Sequence, residues 1–299
     1  MKLDGVATFV AVAEAGSISE AARRLSLSKS VVSERLAELE RSLGASLLHR
    51  TTRKLSLTED GAAFLERAAR ITRDVEAAMA DLAERRGELV GPLRISAPVT
   101  FGRLHLGPAI YPFLAQYPRI ELTLELDDRR IEAAAEGFDA VVRHGVIADN
   151  RLVAWPLATS HRILVASPGY LDRHGTPKTL TELEHHRGIF YTNRGSGDWR
   201  FATEQGTVSV RGEASLRVNN GDMIRDAATA GLGIALMPTF IVGEAVRAGK
   251  LREIRIDVAA LPEVIYMAHP EGRQVSVKLR ALADCLRKAF GDPPYWERF

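Results

Sequence analysis

Residues 16–58 read GSISEAARRLSLSKSVVSERLAELERSLGASLLHRTTRKLSLT. Ser17 followed by Glu20 is a capping-box pair, so a helix begins there and turns Ala21, Ala22 and Leu25 inward. Ser26-Leu27-Ser28 is brief and polar, a turn, and Ser28 can cap the helix behind it. In that helix Val32, Leu36, Leu39 and Leu43 fall on one side at three- and four-residue steps. The opposite side presents Ser30, Ser33, Glu34 and Ala37, with Lys29 at the N-terminal tip. Small and polar side chains on an exposed helix tip suit entry into a DNA major groove, where they must reach base edges.

The stretch from Leu47 to Thr58 alternates apolar and basic residues. It reads as a hairpin, or wing, that lays Arg50, Arg53 and Lys54 along phosphates. Glu34 has no opposite charge at helical spacing, because Ser30, Val31, Ala37 and Glu38 occupy those places; a merely solvated helix more often pairs such a residue. An amphipathic helix pair that only fills a core is the alternative, and the wing weighs against it. Residues 4–15 add a first helix with Val6, Phe9, Val10 and Ala13 inward.

Phe9, Gly16-Ser17, Ala21-Ala22, Leu25, Ser28, Val32-Ser33, Leu36, Leu39-Glu40, Leu43-Gly44, Leu47-Leu48, Arg50, Leu57-Thr58 and Gly61 together resemble the LysR-type transcriptional regulators. The resemblance extends over nearly the whole chain. It implies an α/β protein with an N-terminal all-α winged helix-turn-helix (1–58) and a dimerising linker helix (59–88). A two-lobed, periplasmic-binding-protein-like effector domain (92–299) follows. It also implies base readout by Lys29, Ser30, Ser33 and Glu34, and phosphate contacts by Ser28, Arg35, Arg50, Arg53 and Lys54. Implied partners are double-stranded promoter DNA, a small-molecule effector and a second copy of the chain, commonly in dimers of dimers, with RNA polymerase a candidate further contact. Lys29, Ser30 and Glu34 stand where many members have glutamine, proline and arginine, so the operator cannot be carried over.

The 299 residues suffice for two or three cores, and 46% hydrophobic with 26% charged residues is ordinary for a globular protein. A formal net charge of +2 announces no nucleic-acid binder, so DNA affinity has to come from local clustering. The single cysteine, Cys285, excludes an intrachain disulfide and fits a reducing cytoplasm; its helix-face setting reads as an inert thiol. No signal peptide is legible, and no apolar run approaches the roughly 18 residues of a membrane span.

From Thr58 to about Gly87 the chain reads as one long helix. Phe64, Ala68, Ile71, Val75, Ala78 and Leu82 make a heptad-like stripe along it. About 28 residues span about 42 Å, more than a compact domain needs, so an identical helix from a second chain is the economical cover. Gly87 to Pro92 breaks the helix. Strands then alternate with helices: strands 93–97, 120–126, 138–143, 162–166, 189–192, 207–210, 216–219, 234–237 and 264–267, and helices 104–117, 131–136, 223–230, 240–248 and 275–290. Such alternation gives a mixed sheet covered by helices on both faces. The resemblance implies two lobes, 92–161 with 264–291 and 162–263; periodicity alone leaves open which lobe the last strand joins.

Ligands of open α/β sheets bind beyond the carboxyl ends of strands, beside helix N-termini. Ser96 to Thr100, Asn219 to Asp222 and Pro238 to Phe240 are three such turns, each offering N–H groups plus a hydroxyl or amide, which suits a carboxylate-bearing molecule. Each is equally readable as a helix cap. The resemblance places an inducer site at these turns, so Ser96, Thr100, Thr192, Asn193, Asn219, Asn220, Thr239 and Phe240 are the candidate effector residues. Thr100 and Asn220 are expected to hydrogen-bond the effector and Phe240 to form an apolar wall, with Val146 and Ile147 opposite.

Gly231-Leu232-Gly233 follows a helix and precedes a strand, the wrong order for a dinucleotide fingerprint. His185-His186 lack partners at metal-ligand spacing, and no nucleophile–base set is visible, so no metal, cofactor or catalytic role is expected. His144 and His161 read as hydrogen-bonding residues near the hinge.

Overall fold

The computed structural model describes residues 2–50, 55–84, 88–129, 131–145, 151–194, 199–203, 206–261, 263–271 and 275–299. The chain divides into two compact units, Met1–Gly91 and Pro92–Phe299.

The first unit contains helices α1 (Leu3–Ala15), α2 (Ile18–Arg24) and α3 (Lys29–Leu43), strands β1 (Leu48–Arg50) and β2 (Leu55–Leu57), and helix α4 (Glu59–Glu84). Val6, Phe9, Val12, Ala21, Val32, Leu36 and Leu39 form its core. Ser17 caps α2 by accepting from the Glu20 N–H at 3.0 Å. The reciprocal half of the capping box goes elsewhere: the Glu20 carboxylate takes Arg23 at 2.7 Å and Arg24 at 3.2 Å. Gly44 ends α3 at φ 67°, a left-handed cap that costs glycine nothing. The wing is an antiparallel pair, with Leu48 opposite Leu57 and Arg50 opposite Leu55.

Helix α4 begins at Thr58, whose oxygen accepts from the Gly61 N–H at 2.9 Å while its hydroxyl donates to Ser46 O at 2.7 Å. Gly61 passes so close to the wing that a Cβ there would lie 2.0 Å from Leu47 O. The apolar stripe of α4 then splits. Its first three turns join the unit's own core, with Ala68 buried and the Phe64 ring 5.6 Å from that of Phe9. Further along, the stripe residues Ile71 and Leu82 are 41% and 60% exposed, and Met79 next to the stripe is 68% exposed. Own-domain packing and an open stripe thus share one helix.

The second unit begins with β3 (Gly91–Ala97). A continuous helical stretch follows: α5 (Val99–Phe101), a π turn (Gly102–Leu106) and α6 (Gly107–Gln116). Then come β4 (Ile120–Leu126), β5 (Ala140–Gly145), β6 (Leu152–Ser160), β7 (Arg162–Ala166), α7 (Pro168–His174), α8 (Leu180–Glu184), β8 (Arg187–Tyr191), β9 (Trp199–Thr203), β10 (Gly206–Val210) and β11 (Glu213–Val218). The chain finishes with α9 (Gly221–Thr229), β12 (Ile234–Pro238), α10 (Thr239–Arg247), β13 (Arg252–Ile254), β14 (Ala259–Ala260), β15 (Glu263–Pro270), α11 (Val277–Phe290) and a short 3-10 turn, Tyr295–Glu297.

Two five-stranded sheets define two lobes, ordered β4-β3-β5-β15-β6 and β11-β8-β12-β7-β13, and β10-β9-β14 form a small third sheet. The chain leaves the first sheet at His161, between β6 and β7. Strand β15 returns to pair with both β5 and β6, which gives the last strand its home.

Departures from the expected elements include two in the first lobe. Residues 133–137 are turns rather than the helix expected over 131–136. Gly137 follows at φ 72°, and Ala133 and Phe138 join a small apolar cluster with Val141, Tyr266 and Ala268. Strand β6, absent from the sequence reading, contains Pro156, a residue that argues against a strand unless the strand is an edge. It is the edge. Opposite Pro156 the register shifts between Ile265 and Tyr266, and the Pro156 carbonyl accepts from Arg287 Nε at 2.9 Å.

Candidate DNA-binding surface and interlobe cleft

At the tip of α3, Ser28, Lys29 and Ser30 are exposed, Ser33 is half-buried and Glu34 is exposed. Ser28 Oγ lies 3.4 Å from the Val31 N–H that it caps and 2.8 Å from Ser30 Oγ, so the two hydroxyls form one unit at the tip. Arg35 is tied to Asp4 of α1 at 3.2 Å, with the arginine 33% and the aspartate 70% exposed. An exposed pair of that kind contributes at most about 1 kcal/mol, so a phosphate can compete for the guanidinium. Glu34 has a neighbour that helical spacing does not show: Lys2, which ion-pairs with Glu38 at 3.0 Å. The Lys2 pKa is raised above its ordinary value, first by the hydrogen bond and charge of Glu38 and to a lesser extent by Asp4 and Glu34. Arg53 and Lys54, and the side chain of Arg50, lie outside the described residues.

One acid positions the wing. Glu40 Oε1 accepts from the backbone N–H groups of Leu47 at 2.8 Å and Leu48 at 3.3 Å, and lies 3.4 Å from the Ser46 hydroxyl. Glu40 stands on the inner flank of α3 by helical spacing, but a contact across seven residues into a loop leaves no periodic trace.

In the second unit, β3 delivers Ser96, fully buried, against Arg143 of β5, whose Nη2 donates to Ser96 Oγ at 3.0 Å. Burial lowers the Arg143 pKa from its ordinary value, opposed by Tyr266, Asp127 and Asp128. Thr100 is buried, and its hydroxyl donates to Asp222 Oδ2 at 3.0 Å, from one lobe to the other. Asp222 Oδ1 accepts from Arg103 at 2.7 Å and from Arg225 at 2.8 Å. Asn193 Nδ2 donates to the backbone oxygen of Asp128 at 2.8 Å, another tie across the lobes. Asp128 Oδ1 accepts from the Val99 N–H at 3.0 Å. Its pKa is raised above 3.8, first by burial and then by the charges of Asp127 and Asp222.

Ser96, Thr100 and Asn193 are therefore gathered with four residues that the sequence reading did not single out: Asp128, Arg143, Arg103 and Arg225. Arg143 left a signal, a cation directly after the apolar run Ala140-Val141-Val142. Asn220 is a helix cap, its Oδ1 accepting from the Met223 N–H at 3.0 Å. Asn219 and Thr192 are exposed, and Val146 and Ile147 lie outside the described residues.

At the third turn the structure shows partners from within the chain. Thr239 is buried and its hydroxyl donates to Glu297 at 2.6 Å. The Glu297 carboxylate also accepts from the His161 backbone N–H at 3.3 Å and lies 3.2 Å from His161 Nδ1. The Phe240 ring packs edge-on against Phe101 and His144, each at 5.2 Å. His105 accepts at Nδ1 from the Tyr295 hydroxyl, 2.6 Å away, and donates from Nε2 to Phe240 O at 2.8 Å, the tautomer that satisfies both partners. The reason is tertiary: the C-terminal turn Tyr295–Glu297 folds back onto α10 and brings Glu297 to Thr239. His144 Nε2 lies 2.9 Å from the Glu263 carboxylate at the hinge, and Arg162 stands 4.0 Å from its other oxygen.

This arrangement, a helix-turn-helix with a wing and a separate two-lobed α/β unit, is that of a ligand-responsive DNA-binding regulator. Residues 3–62 match the family model of the bacterial regulatory helix-turn-helix protein, lysR family, and residues 86–291 that of the LysR substrate binding domain. The chain belongs to the LysR family of transcriptional regulators, which are not enzymes. It is 32% identical to the HTH-type transcriptional regulator DmlR of Escherichia coli, over 97% of this chain and 95% of that one. Among solved structures, CrgA of Neisseria meningitidis, a LysR-type transcriptional regulator, is 30% identical with a TM-score of 0.60, covering 97% of this chain and 99% of that one. The Vibrio cholerae virulence activator AphB is 28% identical with a TM-score of 0.59, covering 96% and 98%.

Proposed function

We propose that the chain binds promoter DNA in a sequence-specific manner as a dimer and adjusts that binding to a small carboxylate-bearing effector held between its lobes. Lys29, Ser30, Ser33 and Glu34 read base edges, and Glu34 accepts from a cytosine amino group, a contact worth about 1–3 kcal/mol of discrimination. Ser28, Arg35, Arg50, Arg53 and Lys54 contact phosphates. The exposed half of the α4 stripe, Ile71 to Leu82, supports dimerisation through the linker helix, which presents two recognition helices to two half-sites. A regulator of this kind acts where the chromosome is, in the cytoplasm.

The observation that carries the effector reading is Arg143, a half-buried guanidinium beside Ser96 at the carboxyl end of the central strands of the first lobe. A carboxylate entering there gains a charge-assisted hydrogen bond in a site of reduced solvent access. Genome-wide footprinting of the purified chain, repeated with a panel of small organic acids, tests the whole reading. Protection confined to particular promoters and altered by one acid supports it. Equal protection of random duplex at physiological salt overturns it.

A further inference from the structure

Asp222 is a side chain that both lobes hold at once. It stands in the first turn of α9, yet its carboxylate accepts from Thr100 and Arg103 of the other lobe as well as from Arg225 one turn along its own helix. Its side chain is 19% exposed and that of Arg225 is 22% exposed. The helix comes close enough that a Cβ on Gly221 would lie 3.2 Å from Thr100 Oγ1. A hydroxyl and two guanidinium groups converging on one carboxylate is the donor set that protein sites use to bind small anions. Here the anion is part of the protein.

We propose that Thr100, Arg103 and Arg225 form an anion subsite that Asp222 fills from within, so that the effector domain carries its own carboxylate ligand as a tie between the lobes. An external carboxylate or phosphate takes that position when Asp222 is withdrawn. The role in effector binding rests on the reading of the interlobe cleft given above, whereas the subsite itself does not. An effector that enters as an anion competes with Asp222 for the same donors, and only the difference between the two occupants shifts the lobes.

The test uses the full chain and three variants at constant ionic strength, with sodium acetate or phosphate replacing sodium chloride. Asp222→Ala should melt below the parent in chloride and recover in acetate along a saturable curve with a midpoint in the millimolar range. The parent should show no such gain, and the double variant Asp222→Ala with Arg103→Gln should lose it. Asp222→Asn, which fills the space without charge, should show no acetate response and a larger radius of gyration by X-ray scattering. An Asp222→Ala chain indifferent to acetate and phosphate, or an equal response in the double variant, overturns the subsite. If Asp222→Ala does not fold, an Asp222→Asn chain with the parent's radius of gyration overturns the tie. A parent chain that answers to no organic acid in footprinting, beside an intact acetate rescue, faults the effector reading instead.

Discussion

Glu40→Ala should loosen the wing from the recognition helix. The carboxylate of Glu40 accepts from Leu47 N at 2.8 Å and Leu48 N at 3.3 Å, with the Ser46 hydroxyl at 3.4 Å. Both leucines are buried, so water does not readily replace the lost acceptor at their N–H groups. A hydrogen bond to a charged acceptor contributes about 1.5–3 kcal/mol. The longer two sit at or beyond the edge of good geometry and Glu40 is itself half-buried, so the sum comes to about 2–4 kcal/mol. Glu40→Gln keeps an oxygen without the charge and should lose roughly half of that, since charged hydrogen bonds are about twice as strong as neutral ones.

Urea unfolding of the full chain, followed by circular dichroism, gives two transitions if the two units unfold separately. With an m of about 1 kcal/mol/M for a unit of this size, the DNA-binding transition should move down by roughly 2 M or more in Glu40→Ala. Titration with promoter duplex should then show weaker binding to every sequence and a shallower dependence on salt, because the wing's phosphate contacts are lost while base readout by α3 remains. Glu40→Ala and Glu40→Gln chains that both unfold within about 0.5 kcal/mol of the parent would refute the reasoning and leave the wing held by its own strand pairing.

Gly61→Ala forces a methyl to within 2.0 Å of Leu47 O, a backbone atom, and should destabilise the DNA-binding unit by about 3 kcal/mol or more in the same urea assay. Leu82→Glu or Met79→Glu should dissociate the dimer in sedimentation velocity without moving the urea transition, because both side chains are open in the single chain. Arg143→Met should abolish the response to an acidic effector in footprinting while leaving promoter selection intact. Burial holds the His105 pKa below 6.5 in the folded chain. The unfolded chain therefore binds the extra proton first, and effector-unit stability falls as pH drops below about 6.5, by at most about 1.4 kcal/mol per pH unit for this group. His105→Gln should flatten that part of the profile in thermal melts; an unchanged slope would point to His186, which burial also lowers.

Elements with their own punctuation were legible in the sequence. Ser17, Ser28 and Thr58 each name a helix start through a side chain that bonds three residues on, and all three bonds are present. The stripe Val32, Leu36, Leu39 fixes which side of α3 is inward, and the remainder of the helix surface follows by subtraction. Legibility failed where a distant segment decides. Lys2 approaches Glu34 across the chain fold, and a periodic reading of α3 cannot see it. Pro156 hides β6 because only the finished sheet order reveals that the strand is an edge. Thr239 has the sequence of a ligand-binding turn, and it does bind a carboxylate, but that carboxylate belongs to Glu297.

Glu297 and Asp222 share one logic. Each is an acid of the chain that occupies donors at a helix start where a strand-to-helix turn was expected to receive an external anion. Each joins parts of different lobes: Glu297, beyond the last helix of the first lobe, holds Thr239 of the second, and Asp222 holds Thr100 of the first. The anion preference read from those turns is met in this structure by carboxylates of the chain itself. The two acids are not equivalent, however. Glu297 sits beside His161, where the chain passes from the first sheet to the second, whereas Asp222 is held by donors of both lobes. On the proposal above, an external acid that replaces Asp222 changes the balance between open and closed lobes by the difference between the two anions' binding energies.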